Sequence, residues 1–461
     1  MASDWVKTTL GEIVKLGNGI IQTGPFGSQL HASDYVDEGI PVIMPLNIIN
    51  NKIDLSGIAR ITKEDAERLS KHLVKKNDIV YSRRGDVTRK ALITELEEGM
   101  FCGTGCLLVR PGNSIDARFL TYHLSSPINQ EWIIRHAVGA TMPNLNTGIL
   151  KRVPLNIPSL DTQKAIAHIL GSLDDKIELN RQMNETLEAM AQALFKSWFV
   201  DFDPVIDNAL AAGNAIPDEF IERAEQRKGI EKKDNSDIQA LFPDEFEFTE
   251  EMGWIPKGWK VTPLASLIKL TGGGTPKTSI PEYWNGNIPW FSVVDAPSSS
   301  DVFVLDTEKY VTSLGVENSS TKILSVGTTI ISARGTVGKC AMVSRPMAMN
   351  QSCYGVSGNE GISNTFVYYS VFLSVSELQS KGHGSVFNTI TGDTFKSINV
   401  AFGGGRLTRK FDDLVNPYFE KILGNSLQAK TLSKLRDTLL PKLMSGELRI
   451  SDAAELVDKA V

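Results

Sequence analysis

The chain has 461 residues, of which 41% are hydrophobic and 22% charged, and its formal net charge is −6. This composition is typical of a globular protein with two to four domains, each large enough to form its own core. Because no run of about 18 apolar residues is present and the N-terminus lacks an apolar leader, we expect no membrane span and no signal peptide, and a cytoplasmic protein.

The negative charge is concentrated in one segment. Residues 201–253 contain fifteen acidic and five basic residues, a net charge of −10, which leaves the rest of the chain at +4. An acidic protein is not an obvious DNA binder, but a mildly basic body with one acidic segment is compatible with DNA binding.

In chain order, the first half predicts an alternation of short strands, turns and helices. The opening segment, 5–16, is amphipathic, and the glycine-rich segment 17–28 predicts a loop. The pattern then predicts strands at 39–49, 79–81, 91–93, 105–110 and 153–157, and helical segments at 62–74 and 114–138.

The second half repeats this order of elements. Residues 259–270 match 5–16 at a shift of 254, and Gly384 matches Gly139 at a shift of 245. The shift changes in small steps, as expected for two copies that diverged in loop length. The period is far longer than that of a solenoid repeat, so the sequence indicates a duplication of one domain plus one helix.

Two long helical stretches, 161–200 and 407–446, close the two copies. Each has apolar residues at spacings of three and four, which is the pattern of a coiled-coil seam: Ile166, Leu170, Leu173, Ile177, Leu187, Ala191, Leu194 and Trp198, then Phe411, Val415, Tyr418, Ile422, Leu432, Leu439 and Leu443. Asn180 and Asn425 are matched at the middle of the two seams. Because a buried Asn fixes the register of a coiled coil, we expect the two helices to lie on each other. The alternative is that each helix packs on its own domain. An antiparallel pairing would bring Asn180 and Asn425 close together. Pro417 indicates that the second helix begins or kinks near it.

The acidic segment between the copies predicts a linker, with a helix at 218–229 and otherwise loop. Asp218, Glu231 and Lys233 occur there in the order found in metal-dependent nucleases. Such a site needs both carboxylates held around Mg²⁺ by a rigid scaffold, and the segment has no strand-like run. A Mg²⁺-dependent nuclease therefore stays an alternative hypothesis.

Other catalytic and metal motifs are absent from the sequence. The run 416–418 lacks the second proline of the amino-methyltransferase motif, and no HExxH motif occurs. The cysteines lack zinc-site spacing and are expected to be buried or half-buried thiols: Cys102, Cys106, Cys340 and Cys353. The lack of a catalytic constellation in a duplicated chain favours recognition over catalysis.

A basic hairpin is the best candidate for DNA contact in each copy. Ser332 to Ala341 matches Ser82 to Ala91 at a shift of 250, and both contain an Arg-Gly turn. The candidate residues are Arg83, Arg84, Arg89 and Lys90 in the first copy and Arg334 and Lys339 in the second. An Arg at such a tip can donate two hydrogen bonds to guanine while a neighbouring Lys contacts phosphate. The alternative is an ordinary solvated hairpin.

Four loops, at 23–28, 141–146, 275–277 and 387–391, supply further polar groups suited to phosphates or base edges. The candidate residues in three of them are Thr141, Asn144, Thr275, Lys277 and Asn388. The same residue types are common in turns without any binding role.

With these features, the sequence resembles the specificity subunit of type I restriction–modification systems. Four runs are typical of that family: Ala193-Leu-Phe-Lys-Ser-Trp-Phe-Val-Asp-Phe-Asp-Pro204, Gly253-Trp-Ile-Pro-Lys-Gly-Trp259, the Gly-rich Thr-Pro loop 272–276, and Leu439-Leu-Pro-Lys-Leu-Met-Ser-Gly-Glu-Leu448. The resemblance covers the whole chain in order, duplication and length.

The resemblance implies an α+β protein in which two mixed α/β target recognition domains are joined by two long antiparallel coiled-coil helices. Its pseudo-twofold arrangement would result from the internal duplication. Each domain would read one half of a bipartite site in double-stranded DNA. From residue 166 to 198 the helix would span about 48 Å at ~1.5 Å per residue, more than one turn of B-DNA, and so would set the unread spacer.

The resemblance also implies partners. Two modification subunits would carry S-adenosylmethionine and methylate DNA, and a restriction subunit would perform ATP-dependent translocation and cleavage. This chain would need no cofactor or metal. The predicted domains are 1–159 and 254–404 for recognition, 160–200 and 405–447 for the helices, 201–253 for the linker and 448–461 for a tail. A coiled-coil scaffold that does not read DNA stays the other alternative.

Overall fold

The computed structural model of the chain describes residues 5–26, 29–139, 143–229, 236–297, 301–381 and 389–461. The chain divides into two compact units: unit 1 is Met1–Glu178 with Lys430–Val461, and unit 2 is Leu179–Ala429. The boundaries fall inside both long helices, so each unit combines one copy of the repeat with part of each helix. The predicted domain limits follow the helix ends instead and stay a prediction.

The first copy is built of short strands and helices in unit 1. Its strands are β1 (Val6–Thr9), β2 (Ile20–Thr23), β3 (Tyr35–Val36), β4 (Ile40–Ile43), β5 (Ile48–Ile49), β6 (Lys52–Ile53), β7 (Arg60–Ile61), β8 (Ile79–Ser82), β9 (Lys90–Leu92), β10 (Phe101–Cys102), β11 (Cys106–Arg110) and β12 (Pro154–Ile157). Its helices are α1 (Leu10–Leu16), α2 (Lys63–Arg68), α3 (Ala117–Ser125), α4 (Pro127–His136) and α5 (Thr147–Lys151).

Two four-stranded sheets form the body of this copy, in the orders β2-β11-β8-β9 and β10-β4-β7-β3. The helix α1 begins at a capping box, because the Thr9 amide donates to the Glu12 carboxylate (2.9 Å) and the Glu12 amide donates to the Thr9 hydroxyl (3.3 Å). The prediction of a loop over 17–28 was wrong in part. Ile20–Thr23 forms β2, because its backbone completes the edge of the sheet beside β11.

Unit 2 contains the intervening segment and the second copy. After α6 (Leu160–Phe199), the helices are α7 (Asp203–Ala212), α8 (Ile221–Lys228), α9 (Ser236–Gln239), α10 (Leu264–Leu267), α11 (Ser313–Glu317), α12 (Asn364–Leu373), α13 (Val375–Ser380) and α14 (Gly392–Lys396). The strands are β13 (Phe246–Thr249), β14 (Gly253–Pro256), β15 (Lys260–Pro263), β16 (Ile268–Gly272), β17 (Trp284–Phe291), β18 (Phe303–Val304), β19 (Lys309–Val311), β20 (Thr329–Ser332), β21 (Cys340–Val343), β22 (Ala348–Met349), β23 (Cys353–Gly358) and β24 (Asn399–Phe402).

The strand pairing of the first copy recurs in the second. Its main sheet has the order β16-β23-β20-β21-β18, which corresponds to β2-β11-β8-β9 with one added strand. The registers also correspond: Val6 pairs with Ile157 in unit 1, and Lys260 pairs with Phe402 in unit 2. Val6 and Lys260 are related by the shift of 254 found in the sequence, and Ile157 and Phe402 by the shift of 245. The duplication is therefore confirmed at the level of individual backbone pairs.

The two long helices are α6 and α15 (Gly405–Met444), of 40 residues each, and α16 (Ile450–Asp458) follows. They run antiparallel within each unit. In unit 2, Asn184 contacts Ile422 while Asn180 contacts Gln428, and in unit 1 Asp174 bonds to Arg436. The second helix does not begin near Pro417, since α15 begins at Gly405 and continues past that proline, and the alternative of a kink there stays a prediction. No helix in the described ranges has the length and apolarity needed to cross a membrane.

The acidic segment is more ordered than its composition predicts. Residues 203–212 form α7, and two of its aspartates, Asp203 and Asp207, are buried. Arg223 bonds to both carboxylate oxygens of Asp203 (2.6 and 2.9 Å), and Arg227 bonds to both of Asp207 (2.9 and 2.5 Å). The expectation of mostly loop was wrong, because these pairs neutralise charges that would otherwise keep the segment in solvent.

Two of the sequence runs that carry the family resemblance, 193–204 and 253–259, supply aromatic residues to the core of unit 2. Trp198 and Phe199 at the end of α6 contact Phe411 on α15, with ring centroids 6.0 and 5.5 Å apart. Phe202 packs edge-on against Trp259 at 5.7 Å. These rings are buried, and a buried aromatic side chain removes a large apolar area from water. The four cysteines are free thiols, three of them buried and Cys340 half-buried, as the sequence predicted.

Candidate nucleic-acid interface

A hairpin between β8 and β9 forms the centre of the candidate site in unit 1. The Ser82 amide donates to the Arg89 carbonyl (2.9 Å), and the Ser82 hydroxyl donates to the Arg84 carbonyl (2.9 Å). Gly85 turns the chain with φ of +75°, a conformation that favours glycine. The side chain of Arg84 is exposed at this tip and has no hydrogen-bond partner among the described residues.

The other basic side chains of this hairpin differ in their exposure to solvent and in their bonding partners. Arg89 is exposed but lies 3.3 Å from the Asp86 carboxylate, and Arg83 is half-buried with no acceptor for Nε within the described ranges. Lys90 is fully buried (0% exposed). Its assignment to a DNA-contacting surface was therefore wrong for this conformation, because β9 turns this side chain towards Tyr81 rather than towards solvent. Burial lowers the pKa of Lys90 to about 8.

The polar loop after α4 lies directly beside this hairpin. Arg84 and Asn144 form a β-bridge, and the Leu145 amide donates to the Arg83 carbonyl (2.8 Å). Two candidate groups that are 60 residues apart in sequence are thus adjacent. Thr141, predicted for the same loop, lies outside the described residues.

Unit 2 repeats the hairpin with the same backbone bonds. The Ser332 amide donates to the Lys339 carbonyl (2.9 Å), and the Ile390 amide donates to the Ala333 carbonyl (3.1 Å). Gly335 has φ of +75°, the value found at Gly85. Arg334 and Lys339 are exposed, and their charged groups have no partner in the described part of the chain. Asn388 lies outside the described residues.

The glycine-rich loop after β16 reaches the base of this second hairpin. The Gly274 amide donates to the Met349 carbonyl (3.0 Å), and the Thr275 hydroxyl donates to the side chain of Gln351. The next residue, Ser352, accepts a hydrogen bond from the Ala333 amide (2.7 Å). Thr275 therefore shares one surface with the hairpin. Lys277 is exposed on the same loop.

Sequence reasoning missed one contributor to these sites, Gln351. Gln351 holds Thr275 in place, and its polar neighbours Asn350 and Ser352, just before a strand, were a usable signal. The pattern also could not separate buried Lys90 from exposed Arg89, because both are basic and adjacent.

A second polar site lies between the long helices in unit 2. The side chains of Asn180, Asn184 and Asn425 are buried, at 3–4% exposure. The Asn425 amide group donates to the Asn184 side-chain oxygen (2.9 Å), and Asn180 donates to the Asn425 carbonyl (3.4 Å) and to Gln428 (2.9 Å). The matched Asn180 and Asn425 thus lie in contact, and Asn184 completes the layer.

Comparison with known proteins assigns the family. Residues 2–189 and 256–402, about three quarters of the chain, match the family described as type I restriction modification DNA specificity domain. The chain belongs to this family. It is therefore a DNA-recognition chain without a catalytic role of its own.

Relatives in this specificity family align along nearly the whole chain. The HindI specificity subunit of Haemophilus influenzae is 29% identical, over 97% of this chain and 100% of that protein. The MjaIX specificity subunit of Methanocaldococcus jannaschii is 25% identical, over 91% and 89%. The crystal structure of a type I restriction–modification S subunit from M. genitalium has a TM-score of 0.57 at 17% identity and covers 95% of this chain and 96% of that one. This likeness supports the fold.

Membership of the specificity family leaves the nuclease hypothesis without support. Asp218 is exposed at the start of a single 3₁₀ turn, whereas Glu231 and Lys233 lie outside the described residues. No cluster of three or more metal-ligating side chains occurs in the described ranges.

Proposed function

We propose that the chain reads a bipartite site in double-stranded DNA, with unit 1 contacting one half-site and unit 2 the other. The observation that carries this proposal is the duplicated hairpin, in which Arg84 and Arg334 occupy the same position of the same turn. An Arg guanidinium can donate two hydrogen bonds to O6 and N7 of guanine in the major groove. Asn144, Thr275 and Lys277 lie on the adjoining loops and supply donors for phosphates.

The long helix pair would then determine the length of the unread spacer. The pair is held in one register by the buried amides of Asn180, Asn184 and Asn425. A helix pair with a fixed register is stiff along its axis, and stiffness is the property that a spacer measurement requires.

The partners in this proposal are two modification subunits and a restriction subunit, in the cytoplasm. The modification subunits carry S-adenosylmethionine and methylate the site, and the restriction subunit supplies ATP-dependent translocation and cleavage. The relatives, which are named as specificity subunits of type I restriction enzymes, support this assembly. The chain itself needs no cofactor or metal.

Replacement of the two tip arginines tests the proposal. The complex with modification subunits is used to map methylated adenines, which reveals both half-sites. We expect Arg84→Ala to weaken binding of cognate DNA roughly tenfold or more and to relax the sequence preference of one half-site. Arg334→Ala should have the same effect on the other half-site alone.

Arg135→Ala is the matched control, because Arg135 is exposed on α4 in unit 1 and its guanidinium is already bonded to Glu131. This variant should bind and methylate as wild type. A wild-type complex without sequence preference would favour the scaffold alternative, and Mg²⁺-dependent DNA cutting by the purified chain would favour the nuclease.

A further inference from the structure

An exposed aliphatic side chain occupies the same turn in both copies of the repeat. Leu46 is 82% exposed in unit 1, and Val294 is 72% exposed in unit 2. Each is the middle residue of a 3₁₀ turn that follows a core strand, Pro45–Asn47 after β4 and Val293–Asp295 after β17. Single exposed aliphatics are ordinary on protein surfaces, but here the feature is duplicated with the fold.

Both turns fix the backbone of this residue at the surface. In unit 1 the Met44 amide donates to the side-chain oxygen of Asn47 (3.0 Å), and the Asp54 amide donates to the Asn47 carbonyl (2.7 Å). In unit 2 Asp295 has the same role, accepting from the amides of Ser292 (2.7 Å) and Glu308 (2.7 Å). A turn closed at both ends cannot fold its central residue back onto the core.

In unit 1 the turn adjoins the basic hairpin. The Pro45 ring lies against Gly105, where an added Cβ would come within 2.8 Å of Pro45 Cδ. The Gly105 carbonyl in turn accepts from the Arg83 amide (2.9 Å). Leu46 is therefore linked to Arg84 through directly touching residues.

In unit 2 the corresponding links are present. The Asn350 amide donates to the carbonyl of Phe291 (2.9 Å), at the start of the turn, as Gly103 does to Ile43 in unit 1 (3.0 Å). Two residues later, Ser352 accepts from the Ala333 amide (2.7 Å). In each unit the turn that carries the apolar residue is thus joined to the Arg-Gly hairpin by a short series of contacts.

We propose that Leu46 and Val294 contact the C5-methyl group of a thymine, each in the half-site that its own unit reads. This inference rests on the proposed function. Among the base edges of the major groove, the thymine methyl is the apolar group, and removing an exposed aliphatic from water against it is favourable. Arg84 or Arg334 would then donate hydrogen bonds to polar base atoms, and Leu46 or Val294 would contact the thymine methyl group.

Deoxyuridine substitution tests this contact, because deoxyuridine differs from thymidine by that methyl group alone. The complex with modification subunits is titrated with DNA in which each thymine of the mapped site is replaced in turn. In wild type, we expect one substitution in each half-site to weaken binding about fourfold, the value for one buried methyl group. In Leu46→Ala this loss disappears at one thymine, and in Val294→Ala it disappears at one thymine of the other half-site.

The controls are Leu96→Ala in unit 1 and Val326→Ala in unit 2. These aliphatics are 86% and 54% exposed, and their matched positions in the other copy hold Pro346 and Lys76, so neither belongs to a duplicated turn. Both controls should retain every thymine effect. Equal melting temperatures for all four variants are expected, since each side chain is exposed.

Three results overturn the inference: deoxyuridine losses that persist in Leu46→Ala and Val294→Ala, no loss at any thymine in wild type, or a half-site without thymine in either strand. If such a result occurs while Arg84→Ala still relaxes one half-site, the thymine contact is wrong and the proposed function stands. If the wild-type complex has no sequence preference, the proposed function itself fails.

Discussion

At the scale of single residues, the interior of the hairpin differs between the units although its backbone does not. Tyr81 and Lys90 pair across β8 and β9 in unit 1, whereas Ile331 and Cys340 occupy the matched pair in unit 2. The Lys90 amine lies 5.8 Å from the centre of the Tyr81 ring and has no hydrogen-bond partner among the described residues. A buried amine without a partner destabilises the folded state when it is charged.

Lys90→Met should therefore stabilise the chain and remove a pH dependence. Burial lowers the pKa of Lys90 from its ordinary 10.5 to about 8 in the folded chain. The penalty for charging the amine is complete below pH ~8 and fades as the pH rises from ~8 to ~10.5. The free energy of unfolding of wild type should rise across that window, and Lys90→Met should gain roughly 3 kcal/mol at pH 7.

Urea unfolding between pH 7 and 10.5 measures this effect. Lys339→Met, an exposed lysine of the other hairpin, should leave both the free energy of unfolding and its pH dependence unchanged. Loss of stability in Lys90→Met at pH 7 would mean that the amine makes a favourable contact in the folded chain.

At the scale of elements, the long helices are held in register by a buried amide layer. The seam predicted from apolar spacing is buried or half-buried along its length, with Leu170, Leu173 and Phe411 at 0% exposure. The polar residues Asn184 and Asn425 interrupt it, yet they satisfy each other by hydrogen bonds. Such a layer lowers stability relative to an apolar seam and excludes shifted pairings.

Asn184→Leu should destabilise unit 2 more than Asn184→Leu combined with Asn425→Leu. The single change leaves the buried Asn425 amide group without its acceptor, at a cost of roughly 1–3 kcal/mol. The double change removes both partners and should recover most of that loss. Urea unfolding of the set gives the coupling energy, with exposed Asn416→Leu on α15 as the control. Additive effects of the two changes would rule out the coupling.

At the scale of the whole molecule, the chain consists of two copies of one recognition fold that share a pair of long helices. The paired registers, such as Val109 with Ile21 and Val356 with Leu270, repeat residue by residue. The hairpins, the turns beside them and the loops after them repeat as well. A duplicated reader of this kind fits a DNA site that has two separated halves.

Removing one heptad from each long helix should shorten the spacer between the half-sites. Seven residues correspond to ~10 Å of helix at ~1.5 Å per residue, or about three base pairs. A full heptad keeps the apolar seam in phase, so both half-sites should be unchanged. Mapping methylated adenines gives the new spacer. Altered half-sites with the old spacer would show that the helices do not set the spacer length. As a control, removal of a heptad from one helix alone should destabilise the chain.

Much of this fold follows from the sequence because its signals are periodic or repeated. The spacing of apolar residues predicted both long helices to within two residues of their ends, 161–200 against 160–199 and 407–446 against 405–444. The shifts of 254 and 245 predicted which strands correspond in the two copies. Both signals add up over many residues. A local mismatch therefore does not remove them, such as Arg436 in the second helix at the position that matches Ala191 of the first at a shift of 245.

The exposure and the bonding partners of individual side chains were decided by the tertiary structure. Lys90 and Arg89 are neighbours of like charge, and the packing of the hairpin buries one and exposes the other. Asp203 and Asp207 order the acidic segment because Arg223 and Arg227, 20 residues away, meet them in space. The sequence by itself determined the duplication, the helices and the family. Exposure and pairing depend on contacts between distant parts of the chain, which no local pattern encodes, and so the structure decided which residues of each hairpin are available to DNA.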